Sequence, residues 1–170
     1  MEIINQTRLA LLEALQERVR KLTADMTLPT APARGDMPPG GVRAPEIYKM
    51  RLSNSGHAKK LAPYIIIQYV SGREKQETGR WEDASAVIRL IFVVYDPDEQ
   101  SGAVALMNVM DRVRIGLLRE PVVGNAFKLD TQTGLEDLVY IDDTAPYYGG
   151  EMLCTFFCPP TKREVRYYGD

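Results

Sequence analysis

The side chains able to do covalent or acid–base work are few and scattered. They are the single histidine His57, the two cysteines Cys154 and Cys158, and the acidic groups Asp96-Pro97-Asp98-Glu99, Glu136-Asp137 and Asp142-Asp143. A general acid or base needs a neighbour that tunes it and a substrate within reach. His57 instead ends the polar stretch Ser53-Asn54-Ser55-Gly56-His57, which reads as a solvated loop. Zinc takes three or four Cys and His ligands, and the chain can offer Cys154, Cys158 and His57 alone, so no structural zinc is expected. The acidic groups have the chemistry to hold two divalent cations for phosphodiester hydrolysis. No Glu-x-Lys follows any of them, and acids at element ends also serve as turn formers and caps. A metal-dependent nuclease therefore stays open beside that plainer role. The phosphate-binding Gly-x-x-x-x-Gly-Lys loop, the Gly-x-Gly-x-x-Gly turn and the Gly-x-Ser-x-Gly elbow are absent from the sequence. No cofactor and no enzymatic activity are expected.

The cysteines sit four apart in a strand-like segment, where a rise of about 3.3 Å per residue separates their Cα atoms by roughly 13 Å. A disulfide needs less than about 7 Å. They read as reduced, half-buried side chains of an intracellular product.

Charge narrows the partners. The 170 residues carry 21 Lys+Arg against 23 Asp+Glu, a formal net charge of −2, whereas a nucleic-acid clamp needs a basic excess to displace counterions. The basic residues do not gather: Arg112 and Arg119 share a helix face, Arg114 points elsewhere, and Lys59-Lys60 stands alone. With 45% hydrophobic and 26% charged residues, the chain has the composition of one folded domain, expected over 1–160 with a tail at 161–170. No apolar run approaches the roughly 20 residues of a membrane span. The N-terminus lacks a basic segment followed by an apolar core, so a cytoplasmic origin is expected.

The elements that must position these residues follow from periodicity. Leu9, Leu12, Leu15, Val19 and Leu22 predict an amphipathic helix over 6–24, with Glu17 and Lys21 paired on the wet side. From 25 to 45 the prolines and glycines are too dense for a regular element, and a long mobile arm is expected, with a flexible tether for the first helix as the alternative. Segments 46–52 and 63–71 are strand-like, the second apolar on both faces and hence central. A charged projecting connector, 72–83, leads to a further strand at 86–95, so that the two long strands form a hairpin or near neighbours.

Asp96-Pro97-Asp98-Glu99 is a helix start with Asp96 as cap, and Ser101 is a second candidate. That helix carries Ala103, Leu106, Met107, Met110, Val113 and Leu117 on one stripe and stops at Pro121. A Val122-Val123-Gly124-Asn125 turn then leads to strands at 126–130, 135–141 and 151–158, broken by Gly134 and by a Pro146-Tyr147-Tyr148-Gly149-Gly150 corner. The order predicts an α+β fold: a largely antiparallel or mixed sheet with two amphipathic helices packed on one face, plus the long Pro/Gly-rich loop.

Taken together, several segments resemble the tail terminator, or tail-completion, proteins of long-tailed bacteriophages. They are the N-terminal helix, the strand ending Phe92-Val93-Val94-Tyr95-Asp96, and the helix built as Met107-Asn108-Val109-Met110-Asp111-Arg112-Val113-Arg114 and ending Leu117-Leu118-Arg119-Glu120-Pro121. The short Phe127-Lys128-Leu129 strand and the closing Pro146-Tyr147-Tyr148-Gly149-Gly150-Glu151-Met152 complete the match. It spans roughly 47–160 and rests on order and spacing; 25–45 and the tail beyond 160 lie outside it.

The resemblance implies a non-enzymatic subunit that joins five further copies in a six-membered ring on the last ring of the tail tube. Such a ring stops tail polymerisation and offers a surface to the head side. The implied partners are other copies, tail tube protein and a head-completion or neck protein, with DNA passing through unbound. The implied location is the head–tail junction of the virion, reached through the host cytoplasm.

Within that reading, the 73–81 loop with Arg73, Glu74, Lys75, Arg80 and Trp81 is expected to touch a neighbouring subunit or the tube, Trp81 beside Arg80 being an interface anchor. Tyr167 and Tyr168 near the C-terminus are expected to dock on another subunit, against the alternative of a frayed end. Competing readings are a head–tail joining or neck component, the small metal-dependent nuclease using the acidic groups, and a regulatory binding module with no assembly role.

Overall fold

The computed structural model describes residues 7–32, 40–52, 61–76, 83–141 and 144–162. Their elements, in order, are α1 (Arg8–Thr23), β1 (Leu28–Pro29), β2 (Val42–Arg43), β3 (Glu46–Lys49), β4 (Tyr64–Lys75), β5 (Asp83–Tyr95), α2 (Glu99–Arg119), β6 (Val122–Val123), β7 (Phe127–Leu129), β8 (Leu135–Val139) and β9 (Tyr147–Phe157). The fold is α+β. The main sheet runs β3-β4-β5-β9-β7-β6, with β8 also on β9. β3 is parallel to β4 and every other pair is antiparallel.

The β-branched run Tyr64-Ile65-Ile66-Ile67 and its partner Leu90-Ile91-Phe92-Val93 make the centre of the sheet. Alternation then assigns faces. Ile65, Ile67, Ile88, Leu90, Phe92, Met152, Cys154 and Phe156 lie on one face and meet both helices in a single core. The opposite face carries a smaller cluster in which Ala31, Ala62, Tyr64, Ile66 and Tyr95 are buried.

Each helix starts where its cap allows. Thr7 accepts the Ala10 N–H at 3.1 Å, and Asp98 accepts the Ser101 N–H at 2.8 Å, which satisfies one of the unpaired donors of a first turn. The cap of α2 is thus Asp98 instead of Asp96. Asp96 accepts the Asp98 N–H at 2.9 Å and orders the approach to the helix.

The buried stripes also sit differently from expectation. In α1 they are Leu11, Leu12, Leu15, Val19 and Thr23, while Leu9 is exposed and Leu22 half-buried. In α2, Gly102 and Val109 join Leu106, Met110, Val113 and Leu117, and Ala103 and Met107 face outward. Apolar spacing alone left the rotation of each helix open by about one position. The Thr23 hydroxyl is accommodated in the core by donating to the Val19 carbonyl at 2.9 Å.

Two arginines tie the helices together. Arg18 donates to the carbonyls of Glu120 at 2.6 Å and Val122 at 2.8 Å, and Arg112 reaches Asp25 at 2.7 Å beside the Leu22 carbonyl. Both guanidiniums serve the carbonyl-rich ends of helices, where cations are favoured. Glu17 and Lys21 do pair, at 3.5 Å.

Several strand boundaries move. The charged 72–83 connector is strand at both ends, because β4 runs to Lys75 and β5 starts at Asp83. Its side chains show no apolar alternation because Val70–Gln76 is exposed. The Pro146–Gly150 corner is also strand from Tyr147 onward. Its glycines serve close packing: a Cβ on Gly150 would stand 2.7 Å from the Met110 sulfur and 2.9 Å from the Leu138 carbonyl. The predicted Val122–Asn125 turn shrinks to Gly124 and Asn125, at φ of 59° and 56°, and frees Val122–Val123 to pair as β6. Within 25–45, Leu28–Pro29 pairs with Val42–Arg43, a regular piece that the count of breakers concealed.

Candidate functional site

Of the acidic groups singled out for chemistry, Asp96 and Asp98 hold local structural roles at the start of α2. Asp98 and Asp130 both accept backbone N–H groups, from Ser101 in one case and from Gln132 and Thr133 in the other. Hydrogen bonds from Ser101 and from Thr133 hold their respective carboxyls below the usual carboxylate range. Glu136 and Asp137 lie exposed on β8, while Asp142, Asp143 and His57 fall outside the described residues. Among the described residues no three His, Cys, Asp or Glu side chains gather as a metal site.

Cys154 and Cys158 are free and buried, more so than the half-burial expected of them. Burial pushes the Cys154 thiol up to about 12 and also raises Cys158. Neither presents a thiolate at neutral pH.

What remains for function is surface. Arg73, Glu74 and Lys75 belong to the end of β4 and not to a loop. The register places Arg73 opposite Ser85 and Lys75 opposite Asp83, on the sheet face away from the helices. A bulge between Tyr69 and Ser71 sets this alternation; without it the faces of Arg73 and Glu74 would be exchanged.

Glu74 is engaged within the chain. It accepts the Thr161 N–H at 2.7 Å while Gln76 donates to the Thr161 carbonyl at 2.6 Å. The Thr161 hydroxyl and N–H lower the Glu74 carboxyl from its ordinary value. Arg73 and Lys75 are exposed and make no ion pair among the described residues. Arg80, Trp81, Tyr167 and Tyr168 lie outside the described residues, so the hairpin tip and the tail contribute no geometry.

Sequence reasoning did not single out two other surfaces. One is the outer edge of β8, where Glu136, Asp137, Leu138 and Val139 are all exposed. The other is the uncovered end of the sheet, with Leu153 and Phe157 on β9. There Arg89, at 4.0 Å, and the Tyr140 hydroxyl, at 3.3 Å, both reach Glu151. A signal did exist for β8: Leu135-Glu136-Asp137-Leu138-Val139 lacks the alternation of a strand with one buried face. A cleft of about 660 Å³ between the helices, flanked by Arg18, Leu22, Asp111, Arg112 and Arg119, is open to solvent beside the Arg18–Glu120 and Arg112–Asp25 ion pairs.

No family model matches the chain, and no curated protein matches it. Among solved structures, one protein whose description states no activity aligns over 96% of this chain and 100% of its own at 13% identity, with a TM-score of 0.45. Of the described residues, no helix is long and apolar enough to cross a membrane.

Proposed function

We propose that this protein is a structural subunit of a phage tail: a ring-forming terminator that sits on the end of the tail tube, stops its polymerisation and presents a surface to the head side. Its partners are then further copies of itself, tail tube protein and a head-completion or neck protein. DNA passes through the ring without being gripped, in keeping with a net charge of −2.

One observation carries this reading beside the resemblance in segment order. Among the described residues, two of the exposed strand edges differ in composition, the Arg73/Lys75 end of β4 and the Glu136/Asp137 edge of β8. A cyclic ring uses heterologous contacts, in which one patch meets a different patch on the next copy. Unlike edges at opposite sides of one sheet satisfy that demand, whereas a two-fold dimer needs a single self-complementary patch.

Native mass spectrometry over a range of concentrations, with and without tail tube protein, tests the reading. The expected result is a species near six times the 19.1 kDa chain mass whose formation depends on the tube. A monomer under every condition overturns it. Ring formation that responds only to portal-side components moves the protein to the neck.

A further inference from the structure

We propose that the ring contact is a continuation of the sheet itself: the end of β4 in one copy pairs antiparallel with β8 of the next. The proposal rests on the ring reading and names the surface that makes the ring. It commits to a second copy of this chain as the occupant of both edges.

The first argument is strand direction. β4 and β5, β5 and β9, and β9 and β8 are all antiparallel, so β4 and β8 run in opposite senses. A rotation about an axis near the strand direction preserves those senses. The β8 of one copy therefore meets the β4 of the next in the antiparallel arrangement, and alternation continues unbroken around the ring.

The second argument is what each edge leaves open. β3 occupies the outer edge of β4 along Tyr64–Ile67, and the Met50 N–H bonds to the Ile67 carbonyl just beyond. Ser71–Lys75 pairs with β5 alone among the described residues. At the other side of the sheet, β8 pairs with β9 through Leu135–Val139 and, among the described residues, with no further strand, while β7 and β6 continue the sheet beside Phe156 and Phe157. An unpaired edge is a template for another strand.

The third argument is charge. Arg73 and Lys75 share the face that also carries Glu136, since Glu136 lies opposite Leu153, Leu153 opposite Arg89, and Arg89 on the same side of β5 as Ser85. Antiparallel pairing with Arg73 opposite Glu136 places Lys75 diagonal to that carboxylate and sets Ser71 against Leu138. Direct and diagonal cross-strand pairs of opposite charge are favourable.

The geometry of closure agrees. Within one copy, Glu136 stands level with Arg89, and Arg73 level with Ser85, so joining them offsets successive copies by about four residues, or roughly 14 Å along the strands. The repeat of β4, β5, β9 and β8 is about 19 Å wide at the usual spacing between strands. Those lengths correspond to a tilt of about 35°, which is within the range that closed sheets adopt. β3 forces the offset by blocking the lower edge of β4.

A pair of charge-reversed proteins tests this. One carries Arg73→Glu and Lys75→Glu; the other carries Glu136→Lys and Asp137→Lys. Each alone is expected to lose the ring species in native mass spectrometry, with or without tube protein, while retaining the circular dichroism spectrum and Tm of the parent. Mixed in equal amounts they present opposite charges to each other at both contacts, and a ring of alternating copies is expected to return. Rings formed by both single variants as by the parent overturn the β4–β8 contact and leave the ring reading standing. Loss in each without recovery in the mixture also overturns it. A parent protein that stays monomeric overturns the ring reading and this contact with it.

Discussion

The two faces of the sheet are built from the same strands, yet they differ in what covers them. Along β5, Ala84, Ala86, Ile88, Leu90, Phe92 and Val94 point at the helices and are 0–3% exposed. The residues between them, Val87, Arg89, Ile91 and Val93, are only half-buried. Near β3 that second face is closed by aromatic packing, with Tyr48 and Tyr64 rings 6.3 Å apart and Tyr95 and Tyr147 rings 5.3 Å apart. Toward the far end it lies open, and Leu153 and Phe157 stand in solvent at 40% and 43% exposure.

The difference separates residues that make the monomer from residues left for a partner. An apolar side chain in the covered face stabilises the fold directly. One on the open face contributes little until something else removes it from water.

The comparison breaks most decisively at Phe92, which is fully buried between the sheet and α2. Phe92→Ala is expected to destabilise the monomer by about 3–5 kcal/mol through lost burial and a residual cavity. Denaturant unfolding followed by circular dichroism measures it. A loss below about 1 kcal/mol would mean that the core between sheet and helices is not packed as described.

Adjacent glycines sharpen the same contrast. Gly150 faces the helices, and an added Cβ meets the Met110 sulfur and the Leu138 backbone carbonyl. Backbone cannot step aside, so Gly150→Ala is expected to cost about 1–3 kcal/mol as overpacking. Gly149 faces the other way, where an added Cβ meets the Tyr140 ring at 2.8 Å. Tyr140 is 40% exposed and can swing outward, so Gly149→Ala is expected to cost less than its neighbour. Equal costs would erase the distinction between the faces.

A smaller effect is expected at Glu74, where β4 is tied to the chain after β9. Its folded carboxyl is held below the ordinary value by Thr161. A depressed carboxyl contributes stability that is present above its unfolded pKa and is lost as pH falls through its folded pKa. The Tm difference between parent and Glu74→Gln should therefore be positive at neutral pH and shrink as acidity passes below the usual carboxylate range. A difference constant with pH would place the carboxylate away from Thr161.

These features were unequally legible in the sequence. The run Tyr64-Ile65-Ile66-Ile67 and the strand ending at Tyr95 were plain because burial demands β-branched and aromatic residues, and both helices showed their spacing. The outer halves of β4 and β5 were not plain, since Arg73-Glu74-Lys75 is exposed and nothing selects apolar partners there. The cap at Asp98 was displaced by two residues because Asp96 has the same chemistry. The sheet edges at Ser71–Lys75 and Leu135–Val139 are properties of strand order. Strand order depends on contacts between segments distant in sequence, and the parallel β3–β4 pair carries no local pattern. Arg73, Glu74 and Lys75 were flagged by charge, but only the Tyr69/Ser71 bulge decides which of them face the open side.

The smallest effect on the monomer is expected at Leu153, and there the two faces part most clearly. Its side chain pairs across the open face with Arg89 and Glu136 and keeps 40% of its surface in water. Leu153→Ser is therefore expected to change monomer stability by no more than about 0.5 kcal/mol, the usual range for exposed sites. In an assembled ring the same residue adjoins Glu136 but is separated from the neighbouring copy's Arg73 by β8. The substitution should then leave the concentration dependence of assembly close to that of the parent, while reversal of Glu136 abolishes it. If Leu153→Ser lowers assembly as strongly as the charge reversal, the open face itself is buried by the neighbour and the contact extends beyond the strand edge. If it lowers the monomer Tm as Phe92→Ala does, Leu153 is already covered within one chain, and the contrast between the faces fails at its clearest point.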